Sequence, residues 1–145
     1  MKIYKTFLSI GLIFFSAVNS FSQKSLSFNG SSQYVTFGSA AGLGSGSFTL
    51  ECWFYIAGNG TGASTGSGGI TSGIPLIAKG RGESDGSNLD MNYFLGINSS
   101  NHVLCADFEE GTGQPSPGLN HPVYGVTALC NNVWYHAAAT YDGSI

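Results

Sequence analysis

Beyond residue 23, apolar and polar positions alternate along much of the chain. In "SFTLECWFYI", residues 47–56, Phe48, Leu50, Cys52, Phe54 and Ile56 fall on one face. Thr49, Glu51, Trp53 and Tyr55 fall on the other. A period of two marks a half-buried strand, and a face this apolar is predicted to line a sandwich core. Trp53 and Trp134 both lie in apolar strands, so both are expected in the core.

The same reading finds further strands. "KSLSFNGSSQYVTFG" reads as strand, turn and strand, with Leu26 and Phe28 before a turn over 29–32 and Tyr34, Val35 and Phe37 after it. "IPLIAKG" is a strand in which Pro75 stands at a tolerated opening position. "MNYFLGIN" and "HVLCADFEE", joined by the turn "SSN", are predicted to form a hairpin. "NNVWYHAAATYDG" is a strand from Val133 to Tyr141 that closes at Asp142-Gly143. Asp-Gly is a hairpin signal, and no strand follows it before Ile145. The expectation is an incomplete domain that lacks its C-terminal strands.

Three segments read as loops. Residues 57–73 are nearly all Gly, Ser, Thr and Ala, with too little apolar area to order themselves, so a mobile surface loop is expected. Residues 81–90 are polar. Residues 111–125 carry Pro115, Pro117 and Pro122.

Composition agrees with an all-β chain. Charged residues are 9% and aromatics 13% of 145 residues, and Gly numbers 22. That balance suits strands and turns. The N-terminus differs in kind: Lys2 and Lys5 precede the apolar run "FLSIGLIFFSAV", and small residues follow at Ser20 and Ser22. This is the layout of a signal peptide over 1–22. The run is shorter than the ~20 residues a spanning helix needs. Cleavage after Ser22 then leaves a domain over 24–145, secreted or at the cell surface, with no transmembrane segment.

Without that leader, Lys24, Lys79 and Arg81 stand against eight acidic residues, a balance of −5. A basic patch is absent, which excludes nucleic acid as a partner. Six of the acids lie between Glu83 and Glu110. Cys52, Cys105 and Cys130 form no CxxC or Cys/His cluster, so zinc is not expected. Cys52 and Cys105 read as small buried hydrophobes; a Cys105–Cys130 bridge has no support from spacing.

The acidic stretch "VLCADFEEG" sets Asp107 and Glu109 two residues apart, on one face of a strand. Carboxylates so placed can cleave glycosidic bonds, bind calcium or face water. "ESDGSNLDMN" offers Glu83, Asp85, Asn88, Asp90 and Asn92, hard oxygen donors in a Gly-containing loop. Asp85, Asn88 and Asp90 are the calcium candidates, although the spacing is not that of an EF-hand. The competing reading is a solvated loop of Asx-turns. His136 alternates with Trp134 and Ala138 and reads as structural. No G-x-S-x-G elbow supports a Ser-His-Asp site.

"LSFNGSSQYV", "FTLECWFYI" and "NNVWYHAAATYDG", in that order, resemble the laminin-G-like domains of the concanavalin A-like lectin/glucanase superfamily. The resemblance covers residues 26–145. It implies a two-sheet antiparallel jelly-roll sandwich, incomplete here, of the kind that recurs in large secreted bacterial surface proteins. Asn29 and Gln33 stand where relatives often carry Asp, which weakens any calcium role at that turn. Catalytic members resemble E-x-D-x-E on one strand. Asp107 and Glu109 fit that pattern, but Cys105 occupies the place of the nucleophile. A retaining glycosidase needs two carboxyl groups flanking the bond.

The expected function is therefore non-catalytic binding of a glycan or an extracellular protein, with calcium assisting. The expected ligand face is the rim formed by loops 81–92 and 111–122, with Asp107, Glu109, Asn120 and His121 as binding candidates on a solvated edge. The rival expectations are a glycoside hydrolase and a structural spacer within a longer multidomain surface protein.

Overall fold

The computed structural model describes residues 24–84, 91–111 and 116–144. The predicted leader over 1–22 and its expected cleavage point lie outside them, as do the calcium candidates Asp85, Asn88 and Asp90. Among the described residues, six strands build two antiparallel sheets: β1 (Phe48–Tyr55), β2 (Gly73–Lys79), β3 (Tyr93–Asn98), β4 (Val103–Asp107), β5 (Val123–Ala128) and β6 (Trp134–Tyr141). One sheet pairs β1 with β6, from Phe48 opposite Tyr141 to Tyr55 opposite Trp134. The other runs in the order β2-β3-β4-β5.

The alternation in β1 decides how the sheets meet. Leu50 and Phe54 are buried and Cys52 is half-buried, while Thr49, Glu51, Trp53 and Tyr55 face out. Leu50, Phe54, Ile56 and Ala137 pack against Tyr93, Leu95 and Ile97 of β3, with Leu104 and Ala106 of β4 beside them. Burial of each large apolar side chain contributes about 1.5–3 kcal/mol. The β3–β4 hairpin forms as the pattern predicts, with Gly96 opposite Cys105 and Phe94 opposite Asp107. Pro75 is accommodated because β2 is an edge strand.

A second apolar cluster lies on the far side of the four-stranded sheet. Ile70, Met91, Phe94 and Cys105 form it. Phe94 and Cys105 are the β3 and β4 side chains that alternate away from the inter-sheet core. Ile70 comes from the Gly-rich segment 57–73. The expectation that this segment is a mobile surface loop is corrected. Thr65 and Ile70 are completely buried, and an antiparallel bridge between Ala63 and Gly73 closes the excursion at 2.8 Å in both directions. Glycine is what makes this possible. A Cβ at Gly82 would stand 2.5 Å from Ser64 O and Thr65 C, and one at Gly69 would stand 2.6 Å from Asp107 Oδ2. The backbone is held by close approach and hydrogen bonds rather than by apolar area.

Three other expectations change. Leu26, Phe28, Tyr34 and Phe37 are exposed and lie in no strand; only the turn between them forms, with Asn29 Oδ1 accepting the Ser31 and Ser32 N–H groups at 3.0 and 3.1 Å. β5 arises inside and beyond what reads as a proline loop. Trp53 and Trp134 are not core residues, being 70% and 53% exposed. Among the described residues, no helix is long and apolar enough to cross a membrane.

Candidate functional site

The chain leaving β4 carries Asp107, Phe108, Glu109 and Glu110 into a region of paired backbone. Glu109 bridges Asn120, Glu110 N–H donates to Leu119 O at 3.1 Å, and His121 N–H donates to Phe108 O at 2.9 Å. This pairing brings the four predicted binding residues Asp107, Glu109, Asn120 and His121 together. It does not place the carboxylates on a solvated edge. Asp107, Glu109 and Glu110 are only 2%, 5% and 3% exposed.

Each carboxylate is occupied by the protein itself. Asp107 Oδ2 accepts the Thr65 hydroxyl and the Ile70 N–H, the latter at 3.3 Å, and Oδ1 accepts the His121 N–H at 2.9 Å. Glu109 Oε2 accepts the Met91 N–H at 3.1 Å, and Glu110 Oε2 accepts the Ser116 N–H at 2.6 Å. Glu110 Oε1 faces His121 Nε2 at 3.4 Å without hydrogen-bond alignment. Burial pushes the Asp107 carboxyl above its ordinary range, and the Thr65, Ile70 and His121 donors pull it part of the way back. Cys105, directly before this stretch, is pushed up to about 11, by burial first and by the Asp107 charge second. It is a protonated thiol near neutral pH, not an activated nucleophile.

Cys52, Cys105 and Cys130 are all free, so the Cys105–Cys130 bridge is not formed. Among the described residues, no group of three or more His, Cys, Asp or Glu side chains gathers for a metal ion. Glu83 Oε1 and Asn92 Oδ1, however, are buried oxygens without a donor. They stand in sequence on either side of the segment holding Asp85, Asn88 and Asp90.

Residues 29–145 match a laminin G-type family described as the concanavalin A-like lectin/glucanases superfamily. The chain belongs to this family. No curated protein and no solved structure matches it. The two antiparallel sheets are those of a concanavalin A-like sandwich, and in this laminin G-type domain Cys105 and Asp107 lie on β4, with Glu109 just beyond it.

Two surfaces of the domain escape a reading of the sequence. One is an open groove of about 560 Å³ whose lining includes Ser45, Phe48, Asn92, Phe108, Tyr141 and Asp142. Its aromatic wall is continuous: Phe108 stacks on Tyr141 at 4.1 Å, and Phe48 meets Tyr141 at 5.7 Å. These residues are far apart in sequence: the β1–β6 pairing sets Phe48 opposite Tyr141, and the chain leaving β4 brings Phe108 against both. The other is the outer face of β1–β6, where Trp53 meets His136 at 5.2 Å and Tyr55 meets Trp134 at 5.6 Å. His136 Nε2 lies 3.6 Å from Glu51 Oε2 beside them. A signal for this face was present, since Trp53 shares the period-two face of Glu51.

Proposed function

We propose that this domain is a non-catalytic binding module for glycans or proteins outside the cell or at its surface. The observation that carries the reading is the outward aromatic strip of Trp53, Tyr55, Trp134 and His136, flanked by Glu51 and by the hydrogen-bonded Thr49–Thr140 pair. Aromatic rings beside carboxylate and hydroxyl groups offer apolar faces and hydrogen bonds together, the combination that sugar rings and protein hot spots both use. The inward carboxylates favour the same reading. A glycosidase needs a carboxyl pair open to the scissile bond, whereas Asp107, Glu109 and Glu110 hold backbone N–H groups and residue 105 is a cysteine.

Calcium assistance belongs to this reading. The donor-free oxygens of Glu83 and Asn92 are hard ligands of the type calcium takes up, and Asp85, Asn88 and Asp90 would add others. Glycan-array and protein-capture binding, each with calcium and with chelator, tests both parts. Binding lost in Trp53→Ala and Trp134→Ala, and weakened by chelator, supports them. Binding indifferent to all three changes argues against both.

A further inference from the structure

We propose that residues 63–70 form a displaceable strap, occluding the far face of the β3–β4 hairpin by occupying the Asp107 carboxylate with Thr65 and Ile70. The strap lies over Phe94, Cys105 and Met91, and Ile70 is its one large apolar anchor. Its other attachments are polar. Thr65 donates its hydroxyl to Asp107 and accepts the Ile70 N–H at 2.7 Å. Ser67 donates to Glu83 O at 3.0 Å and accepts Asn120 Nδ2 at 2.9 Å.

This attachment is incomplete. Because Asn120 Nδ2 is committed to Ser67 O, its Oδ1 is fixed in a buried position with no donor. A buried acceptor left unpaired weakens the closed arrangement. A segment with few apolar contacts belongs to the part of a structure that opens first. The excursion also has a built-in base. The Ala63–Gly73 bridge joins its two ends, and Gly66 and Gly68, with φ of 118° and 75°, supply backbone freedom within it. Residues between the ends can lift while the bridge holds. Lifting frees Asp107 Oδ2, while Oδ1 stays on the His121 N–H, and uncovers Cys105. Thr65 meets the carboxylate with a hydroxyl, as a hydroxylated ligand would.

Thiol labelling of the three cysteines, resolved by peptide mass spectrometry, reads this opening. Thr65→Val keeps the side-chain shape and removes the donor. It is expected to label Cys105 on the order of tenfold faster while Cys52, in the inter-sheet core, keeps its rate. Gly69→Ala, which sets a methyl group against Asp107, is expected to increase Cys105 labelling further. Equal acceleration at Cys52 and Cys105 means whole-domain unfolding and overturns the strap as an independent unit. Unchanged Cys105 labelling in both variants makes 63–70 a fixed part of the core and overturns it as well. The measurement uses no glycan or protein ligand, so its failure leaves the binding reading untouched.

Discussion

Thr65 donates its hydroxyl to Asp107 across 42 positions of sequence, and both residues are buried. This bond ties the Gly-rich segment to the strand that looks most like a catalytic one. It converts Asp107 from a group available to a substrate into an anchor for the protein's own loop.

Asp107→Asn is expected to destabilise the domain. The carboxylate accepts three donors through two oxygens. An amide has one acceptor oxygen, and its NH₂ must face a donor. A loss of about 1–3 kcal/mol is predicted, read as a lower denaturant midpoint at unchanged slope.

Gly82→Ala tests the close backbone approach. The new methyl group would meet Ser64 O, Thr65 C and Gly66 N at 2.5–2.7 Å, all of them backbone atoms that cannot rotate away. Overpacking of this kind is expected to cost about 1–3 kcal/mol or more. Thermal unfolding checks it, with Gly58→Ala as control, because a Cβ at Gly58 meets nothing within 4 Å.

Alkaline pH should weaken the fold through Cys105. Its thiol is raised from 9.0 to about 11 in the folded chain. Between those values the unfolded thiol has lost its proton and the folded one keeps it. The unfolded state therefore binds fewer protons, and stability falls as pH rises. The fall amounts to at most about 2–3 kcal/mol. Cys105→Ala should flatten that part of the profile between pH 9 and 11. Cys52, also raised by burial, remains in both proteins, so the difference between the two profiles isolates Cys105.

Much of the fold is legible from alternation alone. The inward face of β1, the β3–β4 hairpin and β6 follow from a period of two. The Gly-rich segment is not legible, because its order comes from missing side chains: Gly69 and Gly82 let backbone approach backbone, and no hydrophobic count registers that. β5 is hidden by Pro122 before it and Gly125 within it. The binding candidates Asp107, Glu109, Asn120 and His121 are neighbours in the fold. The inward orientation of the carboxylates is not readable in the sequence, since for Asp107 it depends on Thr65 and Ile70 and for Glu109 on the Met91 N–H. Residue type alone puts Trp53 in the core, whereas its phase with Glu51 points it outward, where it lies.

The aromatic strip should be dispensable for folding. Trp53→Ser removes a mostly exposed ring, and a stability change within about 0.5 kcal/mol is expected. Loss of a stacking ring at a binding hot spot costs about 2 kcal/mol or more, so the same variant should weaken ligand binding by about thirtyfold or more.

Calorimetric titration of the domain with a panel of soluble β-glucans and other glycans separates binding from catalysis most directly. A binding module predicts a saturable heat that Trp53→Ala and Trp134→Ala diminish, with no heat flow continuing after saturation. Sustained heat flow from turnover, abolished by Glu109→Gln, would contradict it.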